Sequence, residues 1–125
     1  MANSTKIHWV RTILAGILAE LAVFLIVFPV LHSWGQRAFL ASILIASALV
    51  PFLFAIWLCR HVESRFVLHG ALVGLVAALF YTGLALGLGQ TQPFLFKIAH
   101  VLKVVGGACG GVVAAQGVRQ VRDNL

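Results

Sequence analysis

The sequence predicts an all-α polytopic membrane protein: one domain over 1–125, built as a four-transmembrane-helix bundle. Three observations carry this expectation. The 125 residues are 62% hydrophobic and only 10% charged, with a mean hydropathy of +1.05. Soluble chains are roughly 25% charged, and a soluble domain of this length leaves too much surface wet to hide so many apolar side chains. The apolar residues fall into four long runs, and the connectors between them are too short to hold a soluble domain.

The runs are Thr12–Leu31, Ala38–Leu58, Phe66–Leu88 and Ile98–Val118, each of 20 to 23 residues. At about 1.5 Å of rise per residue each can cross a hydrocarbon core of about 30 Å. The connectors read HSWGQR, CRHVESR and GQTQPFLFK. The first run is longer than the roughly 7–15 residues of a secretory h-region and ends in Pro29, Leu31 and His32 without a small-x-small site, so it reads as a retained helix.

Lys and Arg set the expected orientation. Lys6, Arg11, Arg60, Arg65, Arg119 and Arg122 fall on one side, and Arg37 and Lys97 on the other. The positive-inside rule then places both termini in the cytoplasm and the chain in the cell (inner) membrane as a multi-pass protein. Trp9 and Trp57 fall at the inner interface and Trp34 at the outer one, as an aromatic belt requires.

The net charge of +6 is scattered between apolar runs. A nucleic-acid surface would gather it on one soluble face, so the expected partner is the lipid bilayer and not nucleic acid. Cys59 and Cys109 read as small apolar side chains rather than a disulfide framework. His8, His32, His61, His69 and His100 form no i, i+4 pair, so no metal site is expected. No nucleotide loop, nucleophile elbow or HExxH pattern is present, and the chain reads as a non-enzyme with no cofactor.

A spacing of 54 residues relates Arg11, Leu14, Gly16, Leu18, Leu21 and Leu25 to Arg65, Leu68, Gly70, Leu72, Leu75 and Leu79. Taken as a repeat, it makes two parallel helical hairpins. The second and fourth runs do not follow it.

Small residues recur at helical spacing: Gly70–Gly74–Ala78 and Gly83–Gly87 on the third run, and Gly106–Gly110–Ala114 and Gly107–Gly111–Ala115 on the fourth. Glycine at i, i+4 lets helix backbones approach closely in lipid. These ridges serve either contact within one bundle or association with a second copy or another membrane protein. Pro51 has no N–H for the Ser47 carbonyl and is expected to kink the second run.

Two charges lie within the spans, Glu20 and Lys103, and an intramembrane ionisable residue marks a functional site by default. With Tyr81, His100 and the Ser47 carbonyl they form the candidate polar site. Counting rise from the boundary arginines puts Glu20 about 13 Å from the inner edge and Lys103 and Tyr81 about 24 Å. Glu20 leans toward the inner side and Lys103 toward the outer, so rise and lean together argue against a direct pair. On that reading Lys103 snorkels outward. Glu20 is then either a carboxyl satisfied by a backbone carbonyl or a proton-exchanging group in a transport path.

The segment Ala15–Leu21, AGILAEL, resembles the first helix of the small multidrug resistance exporters. The resemblance implies that Glu20 is a proton- and substrate-binding carboxylate. It covers these seven residues. The third run lacks that family's tryptophan-containing pattern, the fourth carries Lys103, and the charge bias is stronger than in dual-topology members. The likeness is one of analogy. More loosely, the chain looks like the many small four-helix bacterial membrane proteins that have no assigned activity.

The leading functional expectation is a non-enzymatic bundle that self-associates or serves as an accessory subunit of a membrane complex. The second is a small proton-coupled transporter using Glu20. A membrane enzyme acting on lipid or quinone comes third, without a catalytic constellation to support it.

Overall fold

The computed structural model describes residues 7–62, 65–89 and 94–125. Among these residues the structure is all-helical, with three helices rather than the four that the sequence predicts: α1 (Trp9–Cys59), α2 (Phe66–Gly87) and α3 (Phe94–Asp123). Each is long and apolar enough to cross a membrane.

The correction lies in the first connector. HSWGQR was expected to be a loop between two helices, but helical backbone runs through it, and α1 is one element of 51 residues. Its single non-helical residue among these is Gly35, at φ 88 and ψ −177. Side chains with a Cβ are essentially excluded from that region, so one glycine does what a loop was expected to do. A straight helix of this length would be about 76 Å long. Arg11 nevertheless donates a hydrogen bond to the His61 carbonyl. α1 is therefore folded back on itself at Gly35, into a first arm (residues 9–34) and a second arm (residues 36–59). The backbone stays helical through Pro29 and Pro51. The kink expected at Pro51 does not show as a break in these angles; the sharp break is at Gly35.

α2 and α3 pack antiparallel in a register set by glycines. A Cβ on Gly70 would collide with the Gly107 carbonyl, and one on Gly107 with the Gly70 carbonyl. Likewise Gly74 abuts the Lys103 carbonyl and Gly111 abuts that of Phe66. Positions 66, 70 and 74 thus face 111, 107 and 103, one helical turn per step. The second arm of α1 runs parallel to α3, with Ala48 and Phe52 carbonyls against Gly106 and Gly110. Six of the eight ridge glycines, Gly70, Gly74, Gly106, Gly107, Gly110 and Gly111, are buried in these contacts within the chain, whereas Gly83 and Gly87 are exposed.

The two-hairpin repeat is not followed in the packing. Gly16, paired with Gly70 by the 54-residue spacing, packs on Val73 and Val76 of α2, whereas Gly70 packs on α3. Equivalent positions therefore have non-equivalent partners. One proposed hairpin is a folded single helix, the other two separate helices.

The bundle has two ends. Trp9, Cys59, Arg65 and the C-terminus of α3 mark one; Gly35, Gly87 and Phe94 mark the other. At the first end His69, fully buried, joins two elements. The His8 backbone N–H donates to its Nε2 at 3.2 Å, and its Nδ1 lies 2.9 Å from the Arg65 carbonyl. These partners fix the neutral tautomer with the proton on Nδ1. Leu25, Leu79 and Val101 are among the many large apolar side chains left exposed, as lipid contact requires. Lys6, the second connector's Glu63 and residues 90–93 of the third lie outside the described residues.

Candidate intramembrane site

Burial of polar groups is selective. Glu20, Ser47 and Lys103 are 1%, 1% and 3% exposed. The first arm of α1 supplies Glu20, the second arm Ser47, and α3 Lys103.

Glu20 and Lys103 form a direct ion pair, which overturns the argument from rise and lean. The Lys103 ammonium donates to Glu20 Oε1 at 3.0 Å and lies 2.9 Å from Oε2. Only the first contact has hydrogen-bond direction; the second is close in distance alone. The error lay in the reference point. Arg119 does not mark the inner edge: α3 continues to Asp123, and it is Gly111 that faces Phe66 at the start of α2. Lys103 is eight residues from Gly111, so about 12 Å from that level. That matches the height of Glu20. Residues 112–123 of α3 overhang the start of α2 by about 18 Å.

Tyr81, seven residues beyond Gly74, continues the α2–α3 register about two turns further toward the Gly35 end. Its ring stacks on Phe96 at 5.6 Å and 13°, and it meets Phe24 at 5.9 Å and His100 at 5.4 Å. The Lys103 ammonium lies 5.0 Å from the Tyr81 ring centroid, within cation–π range. The outward lean predicted for Lys103 is thus real but short: it carries the ammonium to the Tyr81 face rather than to the membrane surface. Glu20, Tyr81, Lys103 and His100 form one connected group.

Beside the pair is a cavity of about 430 Å³, to which Glu20, Ser47, Lys103 and Tyr81 contribute the polar lining. Phe24, Phe28, Phe39 and Phe96 supply aromatic walls, and Val23, Val27 and Ile43 aliphatic ones. The Ser47 hydroxyl has no hydrogen-bond partner among the described residues. Sequence reasoning singled out the Ser47 carbonyl, through Pro51, but not the hydroxyl. The phenylalanines were missed because aromatic residues in apolar runs carry no signal of which face they occupy. Phe96 was also assigned to a connector, whereas α3 begins at Phe94. Among the described residues no group of three metal-ligating side chains comes together.

Comparison with protein-family models, curated proteins and solved structures finds no significant match for this chain. The likeness of AGILAEL to the small multidrug resistance exporters therefore rests on those seven residues.

Proposed function

We propose that this chain is a small proton-coupled carrier of the cell (inner) membrane, with both termini cytoplasmic, in which Glu20 is the exchanging group and Lys103 its resident counter-ion. The observation that carries the reading is that both residues of the buried ion pair, Glu20 and Lys103, belong to the wall of a cavity. Removing two charges from water is costly, and a packed apolar pair of similar volume is often as stable or more so. A pair kept in an apolar bundle, within the wall of a cavity, fits a role in binding. Lys103 neutralises Glu20 at rest, and a proton or a solute that reaches Glu20 weakens that pairing. Such competition is what couples a proton to a solute.

The test uses vesicles containing the protein, an imposed pH gradient and an internal pH dye, with neutral, cationic and anionic amphipathic solutes added in turn. Glu20→Gln alone would strand a buried ammonium, so the informative variant is Glu20→Gln with Lys103→Met. The expected result is solute-triggered discharge by the wild-type protein and none by the double variant. Equal discharge by both contradicts the proposal.

The second reading is association with another membrane protein. Six of the eight ridge glycines are occupied inside the chain, which moves this reading to the Gly83–Gly87 ridge of α2, where a Cβ would meet nothing within 4 Å. Unchanged oligomeric state and co-purifying partners in Gly83→Leu and Gly87→Leu would remove it.

A further inference from the structure

We infer that the cavity beside Glu20 and Lys103 takes uncharged, lipid-soluble ring compounds from the bilayer itself, through a side opening between the first arm of α1 and α2 at Phe24, Phe28 and Tyr81. This rests on the carrier reading above and names the class of molecule carried and its way in.

The opening follows from shared walls. Phe24, Phe28 and Tyr81 line the cavity, and the same three side chains line a second hollow whose other walls are Leu84, Ala85 and Leu88. Leu84 and Leu88 are 44% and 74% exposed, and Phe28 is 50% exposed. The second hollow is therefore turned outward, to the lipid. Tyr81 and Leu88 stand 15 and 22 residues beyond Phe66, the first residue of α2, so about 22 and 33 Å along a core of about 30 Å. The opening lies among acyl chains, in the half of the membrane nearer Gly35. Its aromatic partition is held by ring contacts, with Phe24 at 5.7 Å from Phe28 and 5.9 Å from Tyr81. A phenylalanine that turns aside breaks no hydrogen bond.

The class of molecule follows from route and walls together. Of the side chains that line the outer hollow, only Tyr81 carries a polar group, and none carries a charge. A charged solute entering here would lose its water with nothing to replace it. Inside, Glu20 and Lys103 neutralise one another at 2.9 Å, so the cavity offers no net charge either. Glu20 Oε2 and Ser47 Oγ are themselves buried, so selection falls to the apolar walls. Four phenylalanines and Tyr81 surround a volume of about 430 Å³, within the roughly 300–1,000 Å³ of small-molecule pockets. Aromatic rings favour offset or edge contacts with another ring, which selects a planar ring compound over an acyl chain. Seated beside the ion pair, such a ring raises the cost of keeping both groups charged, which is the coupling that the carrier reading requires.

The experiment follows 1-fluoronaphthalene by fluorine NMR in lipid nanodiscs with and without the protein, reading bound fraction and exchange with the lipid-dissolved pool. Expected is one saturable site per chain, lost in Ile43→Trp, which fills the cavity. Leu84→Trp narrows the outer hollow and leaves the cavity wall intact. It is expected to slow exchange about tenfold with the saturation curve unchanged. A naphthylmethyl trimethylammonium ion is expected not to compete. Absence of saturable binding overturns the inference, as does binding retained in a folded Ile43→Trp protein. Exchange unchanged by Leu84→Trp overturns it as well, whether or not Ile43→Trp folds, and so does displacement by the cation. Failure here is separable from failure of the carrier reading. Saturable binding without proton movement in vesicles retires transport and leaves the ligand class and its route. Proton movement triggered by a cation, without fluoronaphthalene binding, retires the ligand class alone.

Discussion

The Lys103 ammonium lies 2.9 Å from the Glu20 carboxylate, and the Lys103 carbonyl lies against Gly74 on the neighbouring helix. One residue thus carries both the charge pair that joins α1 to α3 and the backbone contact that fixes α2 against α3. The site cannot shift without the packing shifting, which makes its geometry testable by stability as well as by binding.

Removing one partner of the pair strands a buried charge. Lys103→Met and Glu20→Gln are each expected to destabilise the protein by about 3–5 kcal/mol. The two together should recover most of that loss. Unfolding of the detergent-solubilised protein, run as a double-mutant cycle, measures the coupling.

The glycines should sort by what a Cβ would meet. Gly107→Ala forces its Cβ into the Gly70 carbonyl and is expected to cost at least about 1–3 kcal/mol, as overpacking does. Gly83→Ala and Gly87→Ala meet nothing and relieve helical glycine, so each should be neutral or stabilising by up to about 1 kcal/mol. The same unfolding assay reads the opposite signs.

Gly35 holds the fold of α1 at a backbone conformation open essentially to glycine. Gly35→Ala should cost about 1–3 kcal/mol, although its side chain would meet nothing within 4 Å. A spin-label pair at Val10 and Val62, on either side of the Arg11–His61 contact, is expected to be close in the wild-type protein and more broadly distributed in the variant.

His69 accepts from the His8 amide and contacts the Arg65 carbonyl. His69→Phe keeps the bulk and leaves both groups without that partner. A loss of about 1–3 kcal/mol is expected, with faster amide hydrogen exchange confined to the start of α1.

Much of this architecture could be read from residue types alone, because lipid makes the rules strict. Every backbone group must be satisfied within the bilayer, so long apolar runs become helices, and close helix approach requires small residues. Glu20, Tyr81, Lys103 and His100 stood out because charge and polarity are conspicuous in apolar runs. What could not be read was where helices end. HSWGQR looks like a loop by composition, yet one glycine makes the reversal and the flanking residues stay helical. VRQVRD looks like a terminus after the last apolar run, yet α3 continues through it, and the height of Lys103 was misjudged by that overhang. The cavity was illegible for a related reason: it depends on which way Phe24, Phe39 and Phe96 turn, and that follows from the register rather than from their identity.

The most direct test of the account is the nitrogen–carbon distance between Lys103 Nζ and Glu20 Cδ, measured by solid-state NMR in lipid bilayers with labelled lysine and glutamate, and Lys103→Met to assign the signal. The account predicts a dipolar coupling that corresponds to about 3–4 Å, as a charge-assisted hydrogen bond requires, and its disappearance in the variant. A Lys103 ammonium without coupling to any carboxyl carbon and in contact with water would contradict it, and the cavity would lose the charged wall on which the carrier reading depends.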